Sequence, residues 1–351
     1  MTVRDDLAIA MDEATLVERF TAFRSSIKDR EFQSIVAVKD YRNWNIADAR
    51  TKVRSDKKWR EKIVHVNYRP FDKRWIYYSP DIITYPNFRV MNQFDGKNIG
   101  LITSRIHKGE HHAHEFVTRE MTEIIFLSSK SSNNAYVFPL YLNPDKDELA
   151  LGQDKSVNIS KSFLDALTKK LGLKLSPNDM SPEDVFCYIY ATLSSPEYRR
   201  RYNELLKIDF PKVPLVGDRE LFHSLKKLGF ELITTHLLES PRLNKANTVF
   251  TGGNSHVVEK PTWAKNTVYI DKAQTIGFKG VTEEVWNFHV GGYQVCDKWL
   301  KDRKGRKLNK DDVEHYQKIV VAVSETIRLM AEIDKVIDEH GGWPGAFQST
   351  K

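Results

Sequence analysis

A chain of 351 residues has room for two compact domains, or for one large domain with a helical appendage. Its 54 basic and 47 acidic residues give a net charge of +7, which favours a polyanionic partner only mildly. Cys187 and Cys296 lack CxxC spacing and indicate neither a disulfide framework nor a four-cysteine zinc site. No apolar run approaches the roughly 20 residues that span a bilayer, so we expect a cytoplasmic protein with no membrane partner.

Residues 1–62 are predicted to form a helical spacer or linker. Leu16, Phe20 and Phe23 recur at close to the 3.6-residue period of a helix, within an otherwise charged segment. Because charges of both signs surround few apolar residues, we expect this segment to pack on another part of the protein.

The segment at 63–145 is predicted to be β-rich. Its β-branched and aromatic runs, bounded by Pro, Gly, Asn or Asp, lie at 64–71, 74–78, 98–105, 123–129 and 136–142. The polar stretches at 105–120 and 128–134 are predicted loops. Aromatic residues from Tyr68 to Phe88 alternate with Arg and Lys, which suits a sheet with a buried apolar face and a cationic rim. An ordinary sheet with a solvated edge is the alternative.

Residues 158–238 are predicted to be helical. Ser181 and Ser195 are N-cap candidates, each followed by a proline and an acidic residue, which is a strong helix-start signal. A further helix is expected over 218–228, ending at Gly229.

Short strands are predicted again over 248–308, with a hairpin signal at 302–306. Asn309 is predicted to cap a C-terminal helix over 309–340, because apolar residues after it step by three and four.

These segments predict an α+β fold. It would be a mixed β-sheet core with recognition loops, flanked by helical segments at the N-terminus, in the middle and at the C-terminus. Residues 63–351 would form one domain after the spacer.

Motifs for phosphate binding and methyl transfer are missing from the sequence. Neither GxGxxG nor GxxxxGK[ST] occurs. The strings Asn143-Pro144-Asp145 and Ser176-Pro177-Asn178 lack the second proline and the aromatic residue of an adenine-N6 methyltransferase loop. We therefore expect no methyl transfer by this chain alone.

One histidine group, His107, His111, His112 and His114, is a candidate metal site. Histidines at this spacing can bind zinc, but no residue that would orient them can be identified from the sequence. A solvated or DNA-facing loop is the favoured interpretation. No string of carboxylates and lysine specifies a nuclease centre.

Two basic runs could contact phosphate. Arg199-Arg200-Arg201 lies in a predicted helix, and seven basic residues stand against Asp302 alone between Lys298 and Lys310. Solvated faces are the commoner outcome for such runs. Phosphate contact is the alternative for both runs.

Four strings occur in order along the chain. They are YRPFDKRWIYY at 68–78, YVFPLYL at 136–142, VFCYIYATLSSPEYRRRYNELLKIDFPKVPL at 185–215, and GGYQVCDKWLKDRKGRKL at 291–308. Together they resemble the C-terminal specificity region of Type ISP restriction-modification enzymes and of related single-chain adenine-N6 DNA methyltransferases. The resemblance spans about residues 67–330.

In that family a large polypeptide joins nuclease, helicase and methyltransferase domains to a target recognition domain. The resemblance implies that this chain is the target recognition domain, non-catalytic by itself, with residues 1–62 as the linker from the methyltransferase. The implied partners are double-stranded DNA and a methyltransferase domain or subunit. No cofactor is implied, because S-adenosylmethionine, Mg²⁺ and ATP would belong to upstream domains that this sequence lacks.

Base contacts are then expected from the loops of both β-rich segments, where Arg and Lys can read guanine, and Asn and Gln adenine. The candidates are Arg89, Asn92, Gln93, Arg105, His107, Lys108, His112, Lys130, Asn133, Asn134, Asn254, His256 and Lys260. Phosphate contacts are expected from Lys97, Arg119, Lys301, Arg303, Lys304 and Arg306.

Two other classes of function stay open. A metal-dependent nuclease would use the histidine group, and metal retained through purification would favour it. A protein-interaction remnant of a restriction system would use the terminal helices, and self-association without DNA affinity would favour that.

Overall fold

The computed structural model describes residues 4–94, 96–109, 112–130, 133–144, 154–253 and 256–348. The helices are α1 (Asp5–Ala8), α2 (Glu13–Arg24), α3 (Asp29–Ile35), α4 (Ile46–Ser55), α5 (Phe88–Met91), α6 (Lys161–Leu171), α7 (Pro182–Ser194), α8 (Pro196–Arg201), α9 (Asn203–Leu206), α10 (Arg219–His236), α11 (Glu283–Trp286), α12 (Val295–Lys301), α13 (Lys310–Glu339) and α14 (Gly342–Gly345). Among these described helices, none is both long and apolar enough to cross a lipid bilayer.

The strands are β1 (Ile9–Ala10), β2 (Ile63–Arg69), β3 (Asp72–Tyr77), β4 (Gly100–Ser104), β5 (Phe116–Thr118), β6 (Met121–Thr122), β7 (Ala135–Pro139), β8 (Tyr141–Leu142), β9 (Ser156–Val157), β10 (Val249–Phe250), β11 (His256–Val257), β12 (Thr262–Ala264), β13 (Thr267–Tyr269), β14 (Gly277–Lys279), β15 (His289–Val290), β16 (Tyr293–Gln294) and β17 (Lys307–Leu308). The larger sheets have the orders β1-β3-β2-β6, β5-β4-β7 and β10-β14-β13-β12. The predicted α+β fold is confirmed.

The N-terminal helices share a core with the first sheet. Asp12 caps α2 by accepting a hydrogen bond from the Thr15 N–H at 2.8 Å. The buried face of α2 then packs on β3, where Phe20 stacks on Tyr77 with 3.9 Å between ring centroids. The division at residue 62 stays a prediction, and this core, which extends from Leu7 to Ile83, crosses it.

Two further cores meet along α13. The first lies between the sheets β5-β4-β7 and β10-β14-β13-β12, and it includes Phe278, Trp299 and Tyr316. The second is a helical layer of α6, α7 and α10, which the C-terminal half of α13 completes at Ile333. The predicted cap of α13 is confirmed, since Asn309 and Asp312 form a capping box.

The middle helical segment follows the sequence signals except at one glycine. Ser181 caps α7 with a capping box, as predicted. The prediction that a helix ends at Gly229 is wrong, because α10 continues to His236. A Cβ at Gly229 would lie 2.0 Å from the carbonyl oxygen of Cys187. Glycine therefore serves the close approach of α7 and α10 rather than a helix end.

The run at 123–129 is not a strand. It folds as turns, and the Glu123 carboxylate accepts a hydrogen bond from the Ile125 N–H at 2.7 Å. Phe126 and Leu127 are fully buried, so the apolar run reflects burial rather than sheet pairing. A strand forms instead at Phe116–Thr118, inside the stretch predicted to be a loop.

The hairpin predicted at 302–306 is also wrong. Residues 295–301 form α12, whose buried Cys296, Trp299 and Leu300 are spaced as on one helical face. The strand that follows, β17, pairs with β11 rather than with a neighbouring strand.

Candidate nucleic-acid interface

A cleft of about 940 Å³ opens beside the first two sheets. Its walls come from β2, β3, β6 and β7, from the segment around α5, and from the chain on both sides of β8 and β9. Val66 and Ile76, which are apolar, lie on the wall that the first sheet provides. The remaining lining is rich in amide side chains, which are Asn87, Gln93, Asn134, Asn143 and Asn158.

Exposed aromatic rings line the same cleft. Tyr85 is 57% exposed, and Tyr136 and Phe138 are each 43% exposed. Tyr136 and Phe138 are two residues apart on β7, so they share one face of that strand. The exposure of Tyr85 differs from the buried aromatic face predicted for residues 68–88. All three rings give the cleft flat apolar surfaces beside its amides.

Two predicted base-reading residues, Arg89 and Asn134, line this cleft. Arg89 is an exposed residue of α5 and forms no ion pair within the part of the chain that the structure describes. Asn134 is half-buried on the opposite wall, just before β7. A guanidinium and an amide facing one cleft offer donors and acceptors that match base edges.

A third predicted residue, Gln93, has a structural task. Its Nε2 donates to the carbonyl oxygen of Arg89 at 3.2 Å, and its Oε1 accepts from the Asn143 N–H at 2.6 Å. Both ends of the amide are therefore used to hold the two rims of the cleft together. Gln93 positions Arg89 and Asn143 rather than presenting a free amide.

Asn143 is the residue that the sequence interpretation missed. Its string, Asn143-Pro144-Asp145, lacks a methyltransferase motif, yet Asn143 lies on the cleft, exposed and directly after β8. An Asn-Pro pair directly after a predicted strand is a turn signal, and that signal could have placed it on a recognition loop.

Three histidines of the 105–120 segment lie inside the protein. His107, His112 and His114 are 1%, 7% and 0% exposed. His107 Nδ1 lies 2.8 Å from the Leu206 carbonyl oxygen, and a carbonyl only accepts, so Nδ1 carries the proton. The expectation of exposed, DNA-facing side chains is therefore corrected for His107 and His112.

Glu115 joins this histidine group to the helical layer. His112 Nε2 hydrogen-bonds to the buried Glu115 carboxylate, and the other carboxylate oxygen lies 3.0 Å from Arg199 Nη2. Burial alone would raise the pKa of Glu115, but His112 and Arg199 hold it at about 2. Burial also lowers the pKa of His107 to about 4. In the described segments no three His, Cys, Asp or Glu side chains converge to hold a metal ion, and His111 lies outside them.

Arg303 is likewise buried. Its Nη2 lies 2.9 Å from Asp72 Oδ1, and its guanidinium lies 3.5 Å from the centroid of the Trp299 ring. Burial alone would raise the pKa of Asp72, but Arg303 and Arg74 hold it below its ordinary value. The predicted phosphate contact is corrected, because this arginine fastens α12 to β3.

Four other predicted cations are paired with acids. Arg119 forms two bonds to Glu239, at 2.7 and 3.2 Å. The other pairs are Lys301 with Asp297 (2.6 Å), Arg105 with Asp209 (3.6 Å) and Arg306 with Asp312 (3.9 Å). Lys97 is exposed, and its carbonyl accepts from Arg119. Surface pairs of this kind leave less charge for a phosphate.

The predicted loop around Lys108 is organised by backbone contacts. Lys130 Nζ donates to the Gly109 carbonyl at 2.7 Å, and the Lys108 N–H donates to Asn133 Oδ1 at 2.9 Å. Asn133 is fully buried, so the expectation of exposure is corrected for it too. Lys108 stays exposed.

The remaining described candidates do not line the cleft. Asn92, Lys260 and Lys304 are exposed, and His256 is half-buried on β11 opposite Leu308. Asn254 lies outside the described residues.

The fold is that of known restriction-modification enzymes. An ATP-dependent Type ISP restriction-modification enzyme, LlaBIII bound to DNA, superposes with a TM-score of 0.67 at 18% identity over 95% of this chain and 22% of that one. A DrdV–DNA complex gives 0.65 at 18% identity, with 95% and 35% covered. A nuclease-deletion mutant of the Type ISP enzyme LlaGI, with a DNA substrate mimic, gives 0.62 at 15% identity, with 95% and 27% covered.

The chain thus spans between 22% and 35% of the length of these structures, and the likeness shows a common fold. No curated protein matches the sequence. The sequence model of one protein family, the Type ISP C-terminal specificity domain, matches residues 1–332. The chain belongs to that family, as the sequence resemblance implied.

Proposed function

We propose that the protein reads a double-stranded DNA sequence and supplies that specificity to a methyltransferase domain or subunit. Membership of a specificity-domain family supports this proposal, as does the fold shared with enzymes described in complex with DNA. The observation that carries it is the cleft that brings Arg89, Asn134 and Asn143 together beside exposed aromatic rings.

The chemistry of the cleft suits base edges in the major groove. Arg89 can donate two hydrogen bonds to guanine O6 and N7, and the amides of Asn134 and Asn143 can pair with adenine N6 and N7. Tyr136 and Phe138 offer apolar contact for a thymine methyl group. Gln93 bonds to the Arg89 carbonyl and to the Asn143 N–H, so the backbone that carries both side chains is held in place before DNA binds.

Catalysis would be left to the partner. In this proposal the chain contributes no cofactor of its own, and the target adenine would be flipped into the methyltransferase. Phosphate contacts would come from exposed cations that lack an acidic partner in the described residues, such as Lys108, Lys260 and Lys304.

The test is selection of bound sequences from a randomised 30-base-pair duplex pool, at low and at physiological salt. We expect an asymmetric motif to be enriched by the wild-type chain, and Arg89→Ala to lose preference at one position of it. Arg30→Ala removes an equally exposed arginine from α3, outside the cleft, and should leave the motif unchanged. Motif-free binding that disappears with salt would contradict the proposal.

A further inference from the structure

The sheet β10-β14-β13-β12 exposes side chains at its β10–β14 edge, on the face away from the core, whereas Thr267 farther along that face is buried. Phe250, Phe278 and Val268 are aligned across three strands and point into the core. In an antiparallel sheet the adjacent rank points the opposite way. That rank contains Lys279, which is exposed, and Val249, which is 67% exposed.

Two more lysines lie at the same end of this sheet. Lys265 is in the two-residue turn between β12 and β13, and the carbonyl of its neighbour Asn266 accepts from the Gly280 N–H at 2.8 Å. A Cβ at Gly280 would lie 2.8 Å from the carbonyl oxygen of Asn247, so the chain leaving Lys245 also passes here. We call Lys245, Lys265 and Lys279 the hairpin-end lysines.

The segment that carries the hairpin-end lysines has an excess of positive charge. Residues 245–281 contain five lysines and only two carboxylates. Those carboxylates bond to nearby backbone, since Glu259 accepts from the Lys272 N–H at 3.0 Å and Asp271 from the Thr275 N–H at 3.1 Å. Within the described residues, no hairpin-end lysine forms an ion pair, although each is exposed.

Backbone geometry at Lys265 adds a second observation. Lys265 and Asn266 have φ values of +49° and +56°, the pattern of a type I′ turn. Such turns favour Asn or Gly, because a side chain with a Cβ is strained in the left-handed region. A lysine at the first position therefore makes the turn less stable than Asn or Gly would, and it adds a positive charge at an exposed tip.

We propose that the hairpin-end lysines contact the phosphate backbone of the bound duplex, away from the bases that the cleft reads. This rests on the proposed function, because it assumes that duplex DNA is the ligand. Three exposed lysines at one end of a sheet, with no ion pair among the described residues, fit a polyanion. Phosphate contacts fix register without carrying sequence information.

The test compares the salt dependence of duplex binding between two triple variants. Lys245→Gln/Lys265→Gln/Lys279→Gln removes the hairpin-end charges. Lys161→Gln/Lys207→Gln/Lys335→Gln removes three exposed charges that are each paired with an acid on their own or a neighbouring helical turn. Each lost phosphate contact should reduce the slope of log K against log salt by about 0.9, so we expect a slope shallower by two to three in the first variant only.

The preferred motif should be the same in both variants and in the wild type. A wild-type chain that selects a motif, together with equal slopes for the two variants, would overturn the inference and leave the proposed function intact. A wild-type chain that selects no motif would instead overturn the proposed function.

A single substitution separates binding from stability. Lys265→Asn places a residue that tolerates positive φ at the turn, so the melting temperature should stay equal or rise while the salt slope falls by about one unit. Unchanged DNA binding in Lys265→Asn would count against the inference, since the fold would be intact.

Discussion

Arg303 and Arg89 both stand in segments rich in basic and aromatic residues, yet the structure gives them opposite environments. Arg303 is 7% exposed and is bound to Asp72, 231 positions away in the chain. Arg89 is exposed on the rim of a cleft, with no ion pair among the described residues. A basic run therefore indicates a nucleic-acid surface only where distant carboxylates leave its charges unpaired.

The largest expected effect is on stability, and it comes from removing the buried arginine, Arg303. Arg303→Ala leaves the Asp72 carboxylate buried with only Arg74 as its partner, so we expect a loss of about 3–5 kcal/mol in the free energy of unfolding. Urea denaturation measures it. Arg89→Ala is the matched control and should change stability by less than about 0.5 kcal/mol. Equal stability of the two variants would contradict the assignment of Arg303 as a structural residue.

Local signals predicted much of the fold, and long-range contacts account for the rest. Ser181 and Asn309 were recognisable caps because their hydrogen bonds close within three residues. The role of Gly229 depends on a carbonyl of another helix, and the pairing of Arg303 depends on a strand far away in sequence. Neither contact leaves a periodic signal, so the helix end and the phosphate contact were both mispredicted.

The candidate site was predictable in part, for the same reason. Arg89 and Asn134 were chosen as loop residues, and both lie on the cleft. His107 and His112 were chosen on the same grounds but are buried, because their loop folds back onto Arg199 and the Leu206 carbonyl. Sequence shows which residues could read a base; only packing shows which of them keep a free polar edge.

Acidification should lower the free energy of unfolding, because the folded protein buries His107 and His236. Burial lowers the pKa of His107 to about 4 and that of His236 to about 3, below the ordinary value of 6.5. The unfolded chain therefore binds more protons below pH 6.5, so the stabilisation is complete above that pH and is lost as the pH falls towards 4. Each histidine should contribute on the order of 3 kcal/mol. Unfolding midpoints measured from pH 7 to pH 4 test this.

Substitutions at His107 and Glu115 show how much of the stability lost on acidification comes from each residue. His107→Asn should flatten the stability curve between pH 6.5 and 4. Glu115→Gln should lower stability most above about pH 4.5 and change the slope of the curve only below that pH, because the folded pKa of Glu115 is about 2 and stabilisation by the carboxylate is lost only as it protonates. A His107→Asn curve parallel to that of the wild type would show that this imidazole is not desolvated in the native state.

On the exposed side of the comparison, Arg89→Ala should change binding and not folding. Loss of one bidentate guanine contact should reduce discrimination at one base pair by about 1–3 kcal/mol. Competition between the selected duplex and single-base variants measures this. Gln93→Ala should give a smaller loss spread over adjacent positions, because it frees both rims of the cleft. A uniform loss across all sequences would instead make Arg89 a phosphate contact.

The smallest expected effect concerns Lys304, the exposed neighbour of the buried Arg303. Lys304 follows Arg303 directly but is exposed, with no ion pair in the described part of the chain. Lys304→Gln should leave the free energy of unfolding within about 0.5 kcal/mol of the wild-type value and reduce the salt slope of duplex binding by about one unit. Lys301→Gln is the control in the same run, since Asp297 already pairs with Lys301 at 2.6 Å. If both substitutions reduce the slope equally, pairing with a carboxylate does not decide which cations of this run reach DNA.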